Sequence, residues 1–281
     1  MTNDEIDALM NVASSGSTPE RIVPGRTDRA ETAAHMARYG FAAAHARGVA
    51  LDLGSGVAYG TAIIATAPSV AFCVAFDISS RALAFGKNTY REKMSFIAGD
   101  AGALPFSESS VDSIICLEAI EHVPHPEKAL GEMARILRPE GSLVISTPNK
   151  WVTSALSRRP LNPFHVCEWY PTRFRELVSR FFEVEEVLGQ SWCSVGFTSR
   201  SLTRRWGKEV LRSLHVLEVA QQRRRGRRGG MAQGDFRKTS SAIDVPTQGE
   251  VLAVWPRPCM STWRQGLPAT IILVARSLRK Q

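Results

Sequence analysis

The chain has 281 residues, of which 44% are hydrophobic and 22% charged, a length and composition suited to one large soluble domain or one domain with a smaller appendage. No apolar run reaches the roughly 18 residues a membrane helix needs, and MTNDEIDALM lacks the basic start and apolar stretch of a secretory signal. The five cysteines (Cys73, Cys116, Cys167, Cys193 and Cys259) form no CxxC pair, so reduced thiols in a cytoplasmic protein are expected.

Residues 1–27 are polar, with SSGSTP in the middle, and read as a flexible lead-in. Residues 28–47 read as an amphipathic helix with apolar positions at Ala33, Met36, Ala37, Gly40 and Phe41. Apolar runs then alternate with helical patterns. VALDLG (49–54), VAFCVAFDI (70–78), MSFIAGD (94–100), VDSIICLEAI (111–120) and SLVISTPN (142–149) read as strands. TAIIATA (61–67), SSRALAFGKNTYREK (79–93), PEKALGEMARIL (126–137) and TRFRELVSRFF (172–182) read as helices. VEEVLGQ follows, and ATIILVARSL (269–278) reads as a last strand. The alternation predicts a doubly wound, mostly parallel, seven-stranded α/β sheet with helices on both faces. The expected division is a core over 28–190, a basic insertion over 191–245, and a C-terminal part over 246–281 that completes the core sheet. The net charge of +8 is concentrated: residues 199–230 hold ten Lys/Arg and two Asp/Glu, which is +8, so the remainder is close to neutral.

LDLGSGVAYG lies at the first strand-to-helix turn, where Gly54 and Gly56 permit a tight turn and close backbone approach to a ligand. Dinucleotide-binding proteins carry such a turn too. Three acids accompany it: Asp52 before the first glycine, Asp77 at the end of the second strand, and Asp100 at the end of the third. In an open parallel sheet these strand ends converge on one crevice, and a carboxylate there can accept hydrogen bonds from a ribose diol.

LDLGSG, FDIS, GDAGALPF, VDSIICLEAIEHV and LRPEGSLVISTPN resemble the successive signature segments of the class I S-adenosylmethionine-dependent methyltransferases. ERIVPG (20–25) and HMARYGFA (35–42) resemble the lead-in of a bacterial subgroup often associated with glycan or natural-product pathways. The resemblance implies a Rossmann-like fold and S-adenosylmethionine as cofactor. It implies that Asp52, Gly54 and Gly56 hold the methionine end, that Asp77 and the adjacent Ile78 hold the ribose, and that Asp100 with Ala101 meets the adenine edge. Leu117 or Glu118 would face the sulfonium. The chain departs from the family's usual pattern at Val57 and Ala58, where an acidic residue and a glycine are common.

Methyl transfer to a hydroxyl requires an aligned nucleophile and a proton acceptor. Glu118, Glu121 and His122 stand at the end of the fourth strand, and His165 follows in NPFHVCEW. His122 and His165 are the candidate catalytic bases. The ExxEH pattern with a distant histidine also resembles a metal site of two methyltransferase groups, so Glu118, Glu121, His122 and His165 are candidate ligands for a divalent cation such as Mg. Trp151, Phe164, Trp169 and Tyr170 are candidate walls of an acceptor pocket. The expected function is O-methylation of a hydroxyl on a small molecule or glycan precursor. The alternatives are a metal-dependent RNA 2′-O-methyltransferase using the basic segment as its nucleic-acid contact, and a non-catalytic cofactor-binding module.

Overall fold

The computed structural model describes residues 22–24, 27, 29–90, 93–190, 197–199 and 269–278. The chain runs α1 (Arg29–His45), β1 (Gly48–Leu53), α2 (Tyr59–Ala65), β2 (Val70–Asp77), α3 (Ser80–Thr89), β3 (Met94–Ala98) and β4 (Val111–Leu117). A 3₁₀ turn (Ile120–His122), α4 (Pro126–Ile136), β5 (Leu137–Pro148), α5 (Lys150–Thr153), α6 (Pro171–Ser179), β6 (Phe182–Gln190), β7 (Phe197–Ser199) and β8 (Thr270–Ser277) follow. Local chemistry sets several of these boundaries. The Ser79 hydroxyl accepts from the Ala82 amide at 3.3 Å and caps α3. Proline opens both α4 and α6, where its fixed φ suits the first turn and its missing N–H costs nothing.

The strands form one sheet in the order β3-β2-β1-β4-β5-β8-β6-β7. Strands β1 to β5 are mutually parallel, and β8 is antiparallel to both β5 and β6. The expected doubly wound, seven-stranded arrangement is present, with the three-residue β7 added at one edge. The order in which successive strands are added reverses between the parallel neighbours β1 and β4, so the crevice that a doubly wound sheet offers to ligands opens beyond the ends of those two strands. The central strands are buried on both faces: on one, Leu51, Phe76, Ile114, Cys116, Leu143, Ile145 and Leu273 join a core with Leu130, Met133 and Ile136 of α4 and Phe174 of α6, and on the other Ala50, Ala75, Ile115 and Val144 are buried.

Helix α1 corrects the sequence reading on one point. Ala33, Met36, Ala37, Gly40 and Phe41 are only half-buried, while Thr32, His35, Arg38, Tyr39 and Ala42 are buried. The face turned inward mixes Ala34 and Ala42 with polar residues, because His35, Arg38 and Tyr39 find partners in Tyr59, Gln190, Thr270 and Asp52. Residues 1–21 of the expected lead-in lie outside the described residues. So do 191–196 and 200–245 of the expected basic insertion. Among the described residues, no helix is long and apolar enough to cross a membrane.

Candidate functional site

Two groups of side chains gather at the carboxyl ends of the parallel strands. The first surrounds the glycine turn after β1. Gly54 holds φ +80, and a Cβ there would lie 2.4 Å from the Ala119 Cβ, so the turn needs glycine for both its conformation and its closeness to the segment after β4. Asp77 fixes the turn from the neighbouring strand. Its Oδ2 accepts from the Gly56 amide at 2.8 Å, and its Oδ1 accepts from the Ser79 amide at 2.8 Å. Ile78 beside it is 80% exposed, an apolar side chain at the lip of the crevice. Asp100 is exposed and its Oδ1 accepts from the Gly102 amide at 2.8 Å. Ala101 is half-buried against the core.

Asp52 is placed differently from the expectation of direct contact with a ligand. It is 1% exposed, and its carboxylate accepts from the Thr61 hydroxyl at 2.6 Å and the Tyr39 hydroxyl at 3.2 Å. It therefore braces the turn from beneath, tying β1 to α1 and α2. Burial pushes its pKa up from 3.8 to about 7, against the two hydroxyl hydrogen bonds that lower it. Leu117 is likewise buried, at the end of β4. Val57 is buried too, and Ala58 adopts φ 62, ψ 15, the left-handed conformation that glycine takes without cost.

The second group stands beyond β4 and β5. Glu118 also has a positive φ, of 51, which turns the chain sharply off the strand. Its Oε1 accepts from the Ser146 hydroxyl at 2.7 Å and its Oε2 from the Thr270 hydroxyl at 3.5 Å. Glu121 is buried, and its Oε2 accepts from the Thr147 hydroxyl at 3.2 Å. The Glu121 carbonyl accepts from the amides of Val166 (2.8 Å) and Cys167 (3.2 Å), which fastens the NPFH loop to the 3₁₀ turn. That fastening brings His165 beside His122, with ring centroids 5.1 Å apart.

Hydrogen bonding fixes the form of both rings. His165 Nδ1 lies 2.6 Å from Glu168 Oε1, and Asn162 Nδ2 lies 3.0 Å from His165 Nε2. A carboxylate only accepts and an amide NH₂ only donates, so His165 carries its proton on Nδ1 and a lone pair on Nε2. His122 Nδ1 lies 3.1 Å from the Phe164 carbonyl oxygen, which gives His122 the same tautomer. Although burial pushes the Glu168 carboxyl up, hydrogen bonds from His165, Ser154 and Thr153 hold it below the ordinary carboxylate range. Glu168 is the functional candidate the sequence reading missed.

One ligand atom each from Glu121, His122 and His165 lies within 4.8 Å of the others, close enough to share one ion. Glu118 stands outside this group, so the four-residue cation site expected from the sequence reduces to three residues: its carboxylate faces Ser146 and Thr270 instead. The expected aromatic walls divide. Trp151 packs on Tyr170 with centroids 4.5 Å apart, while Trp169 packs on Phe174 as part of the core edge.

Residues 51–145 match the family model described as a methyltransferase domain. A protein of Mycolicibacterium smegmatis, named a probable S-adenosylmethionine-dependent methyltransferase, is 32% identical over 140 residues, covering 50% of this chain and 53% of that one. The malonyl-[acyl-carrier protein] O-methyltransferase of Methylococcus capsulatus is 28% identical over 156 residues, 55% of each chain. The demethylmenaquinone methyltransferase of Renibacterium salmoninarum is 44% identical over 73 residues, 26% of this chain and 30% of that one. The matches therefore span about half the length of these relatives, or less. The solved structure of the [4+2]-cyclase SpnF superposes with a TM-score of 0.57 at 18% identity, covering 98% of this chain and 93% of that one. A chain in the complex formed by the Haloferax volcanii Trm112 methyltransferase activator gives 0.55 at 17% identity, covering 90% and 99%. At such identities these likenesses speak for the fold alone.

Proposed function

From a chain whose core belongs to the class I S-adenosylmethionine-dependent methyltransferase family, we propose an O-methyltransferase acting on a hydroxyl of a small molecule or glycan precursor. The observation that carries the reading is the His165–Glu168 pair beside the crevice. A hydroxyl nucleophile must lose its proton as it is methylated, and His165 Nε2, which accepts from the Asn162 amide at 3.0 Å, takes that proton when the acceptor hydroxyl replaces the amide as its donor. Glu168 stabilises the imidazolium that forms and keeps the ring in the correct tautomer. His122 stands next to it as a second proton acceptor or acceptor-site hydrogen-bonding group.

The residues present fit S-adenosylmethionine. The Ser55 hydroxyl, within the glycine turn, is buried without a hydrogen-bond partner, as expected of a group waiting for a polar ligand. Asp77 offers a carboxylate for the ribose hydroxyls. Gly54 and Gly56 bring backbone close to the ligand, Ile78 and Ala101 offer apolar contact, and Asp100 and Leu117 border the site. Bound there, the cofactor supplies a methyl group already activated on a sulfonium. The protein's remaining work is alignment of the acceptor oxygen, exclusion of water and removal of the proton. The relative named as an O-methyltransferase supports oxygen as the methylated atom.

The Glu121, His122 and His165 grouping favours a second reading, in which these residues hold a divalent cation that lowers the hydroxyl's pKa. Titrating the metal-stripped protein with Mg²⁺, Mn²⁺ and Zn²⁺ by calorimetry separates the two. Saturable binding lost in Glu121→Gln supports the cation, and no binding supports the base. The function itself is tested by incubating the protein with methyl-labelled cofactor and a cell extract. Label in a small, nuclease-resistant product is expected. Label in a nuclease-sensitive fraction would move the reading to RNA, and no transfer to any fraction would reduce the chain to a binding module.

A further inference from the structure

The loop between α5 and α6 leaves apolar side chains in water although its backbone is well tied. Of the six large hydrophobic side chains exposed among the described residues, three lie in it: Leu156 (74% exposed), Leu161 (64%) and Val166 (48%). Single exposed leucines are ordinary, but three such side chains in one short loop mark an interaction surface. A loose chain does not account for the exposure. The Tyr170 hydroxyl donates to the Ala155 carbonyl at 2.7 Å, the Ser154 hydroxyl donates to Glu168, and the Phe164 amide donates to Asn162 Oδ1 at 3.1 Å. The Val166 and Cys167 amides close the far end of the loop on the Glu121 carbonyl.

The same loop is basic. Arg158 and Arg159 are exposed, and neither forms an ion pair among the described residues. From Gly141 to Cys167 the chain holds Lys150, Arg158 and Arg159 and no aspartate or glutamate. Two guanidiniums flanked by Leu156 and Leu161 suit a boundary between hydrocarbon and water. The apolar side chains enter the hydrocarbon, and the charged heads stay with anions at its edge. A folded protein partner would need about 800 Å² on each side, from about 20–30 residues, which is more than one loop supplies. A bilayer needs only a few apolar side chains together with attraction between basic residues and anionic headgroups.

We propose that the loop over 154–166 docks the protein on an anionic lipid bilayer, with Leu156, Leu161 and Val166 entering the boundary between headgroups and acyl chains and Arg158 and Arg159 binding lipid phosphates. Docking by this loop brings the acceptor side to the bilayer, because His165 belongs to the loop and packs on His122. The acceptor class that follows is a hydroxyl compound held in the membrane by an apolar tail, methylated without leaving the lipid surface. That step rests on the proposed role of His165, whereas the docking itself does not.

Sedimentation of the full chain with vesicles tests the docking. Vesicles of equimolar phosphatidylcholine and phosphatidylglycerol should carry the wild type down, pure phosphatidylcholine far less, and added salt should release it. Arg158→Gln combined with Arg159→Gln should weaken binding about 10-fold to 30-fold, at roughly 5-fold per arginine near an anionic surface. Leu156→Ser combined with Leu161→Ser should weaken it at least about 10-fold. These side chains are exposed, so thermal melts of both double variants should match the wild type. Phe72→Ser alters an exposed side chain near the amino end of β2, away from the loop, and should leave binding unchanged. A wild type that stays in the supernatant with both vesicles would overturn the proposal. Double variants that sediment as the wild type does would also overturn it, and would give the binding to other residues such as the RRRGRR run at 223–228. So would a dimer in light scattering that the leucine variant dissolves, since the surface would then belong to a second copy. Vesicle binding with methyl label confined to water-soluble products would keep the docking and overturn the membrane-held acceptor. Sedimentation reads the docking even where no methyl transfer is seen, so failure of the docking and failure of the proposed activity are told apart.

Discussion

Ala58 and Gly86 meet where the glycine turn passes beneath α3. A methyl added at Gly86 would come within 3.0 Å of the Ala58 Cβ and 2.8 Å of the Val57 carbonyl oxygen. Ala58 is fully buried there with φ 62. The position therefore has left-handed backbone and no spare volume. Ala58→Val should destabilise the protein by about 3 kcal/mol, combining a β-branched residue at positive φ with overpacking. Ala58→Gly should stay within about 1 kcal/mol of wild type, because relief of the left-handed strain offsets the lost methyl and the looser unfolded chain. Urea unfolding measures both. A Val variant as stable as wild type would contradict the turn described above.

Asp77 joins the turn to the ligand it is proposed to hold. Asp77→Asn removes charge-assisted acceptance from the Gly56 amide and from a ribose hydroxyl. At roughly 1.5–3 kcal/mol for a charged hydrogen bond, S-adenosylmethionine affinity should fall at least 10-fold. Unchanged affinity by calorimetry would remove Asp77 from the cofactor site.

Asp52 makes stability depend on pH in an unusual direction. Its carboxyl titrates near 7 in the folded protein and near 3.8 when unfolded, so between those values the folded state holds a proton the unfolded chain has released. Unfolding then releases a proton, and stability falls as pH rises from about 4 to about 7 before levelling off. The contribution is on the order of 4 kcal/mol. Asp52→Asn cannot ionise. The variant should gain on wild type as pH increases from 5 to 7.5, by urea unfolding of the unliganded proteins. A constant difference across that range would show that Asp52 does not titrate there.

Glu168→Gln tests the orientation of His165. The amide is nearly the same shape, yet it can present an NH₂ to Nδ1 and favour the wrong tautomer. Turnover with an acceptor found by the labelling experiment should drop about 10-fold to 100-fold, the usual range for a group that orients a functional histidine. Cofactor affinity should stay at the wild-type value. Loss of both together would make Glu168 a folding residue instead.

Much of this was legible in the residues themselves. VALDLG, VAFCVAFD and SLVISTP announce buried parallel strands because both of their faces must be apolar, and the glycine turn falls between the first strand and its helix as expected. The face of α1 was not legible, because His35, Arg38 and Tyr39 look like solvent-facing residues until the polar end of the sheet is seen to receive them. Glu168 carried no signal: it sits in a loop, where neither helical nor strand periodicity singles out a residue three positions from His165. Glu118 looked like part of the histidine group by spacing, but its positive φ swings it towards Ser146 and Thr270. Ala58 reads as a mild change from glycine, and only the backbone angle reveals its strain.

Strand β8 lies between β5 and β6, although it follows both by many residues in the chain. During synthesis the ribosome therefore produces two hydrogen-bonding edges, on β5 and on β6, long before the strand that joins them emerges. Until residues 270–277 leave the exit tunnel, those edges can be satisfied only by water, by a chaperone or by another nascent chain. A stop codon between residues 190 and 270 would release a chain with its glycine turn complete and its sheet still open between β5 and β6, a product prone to aggregation or proteolysis.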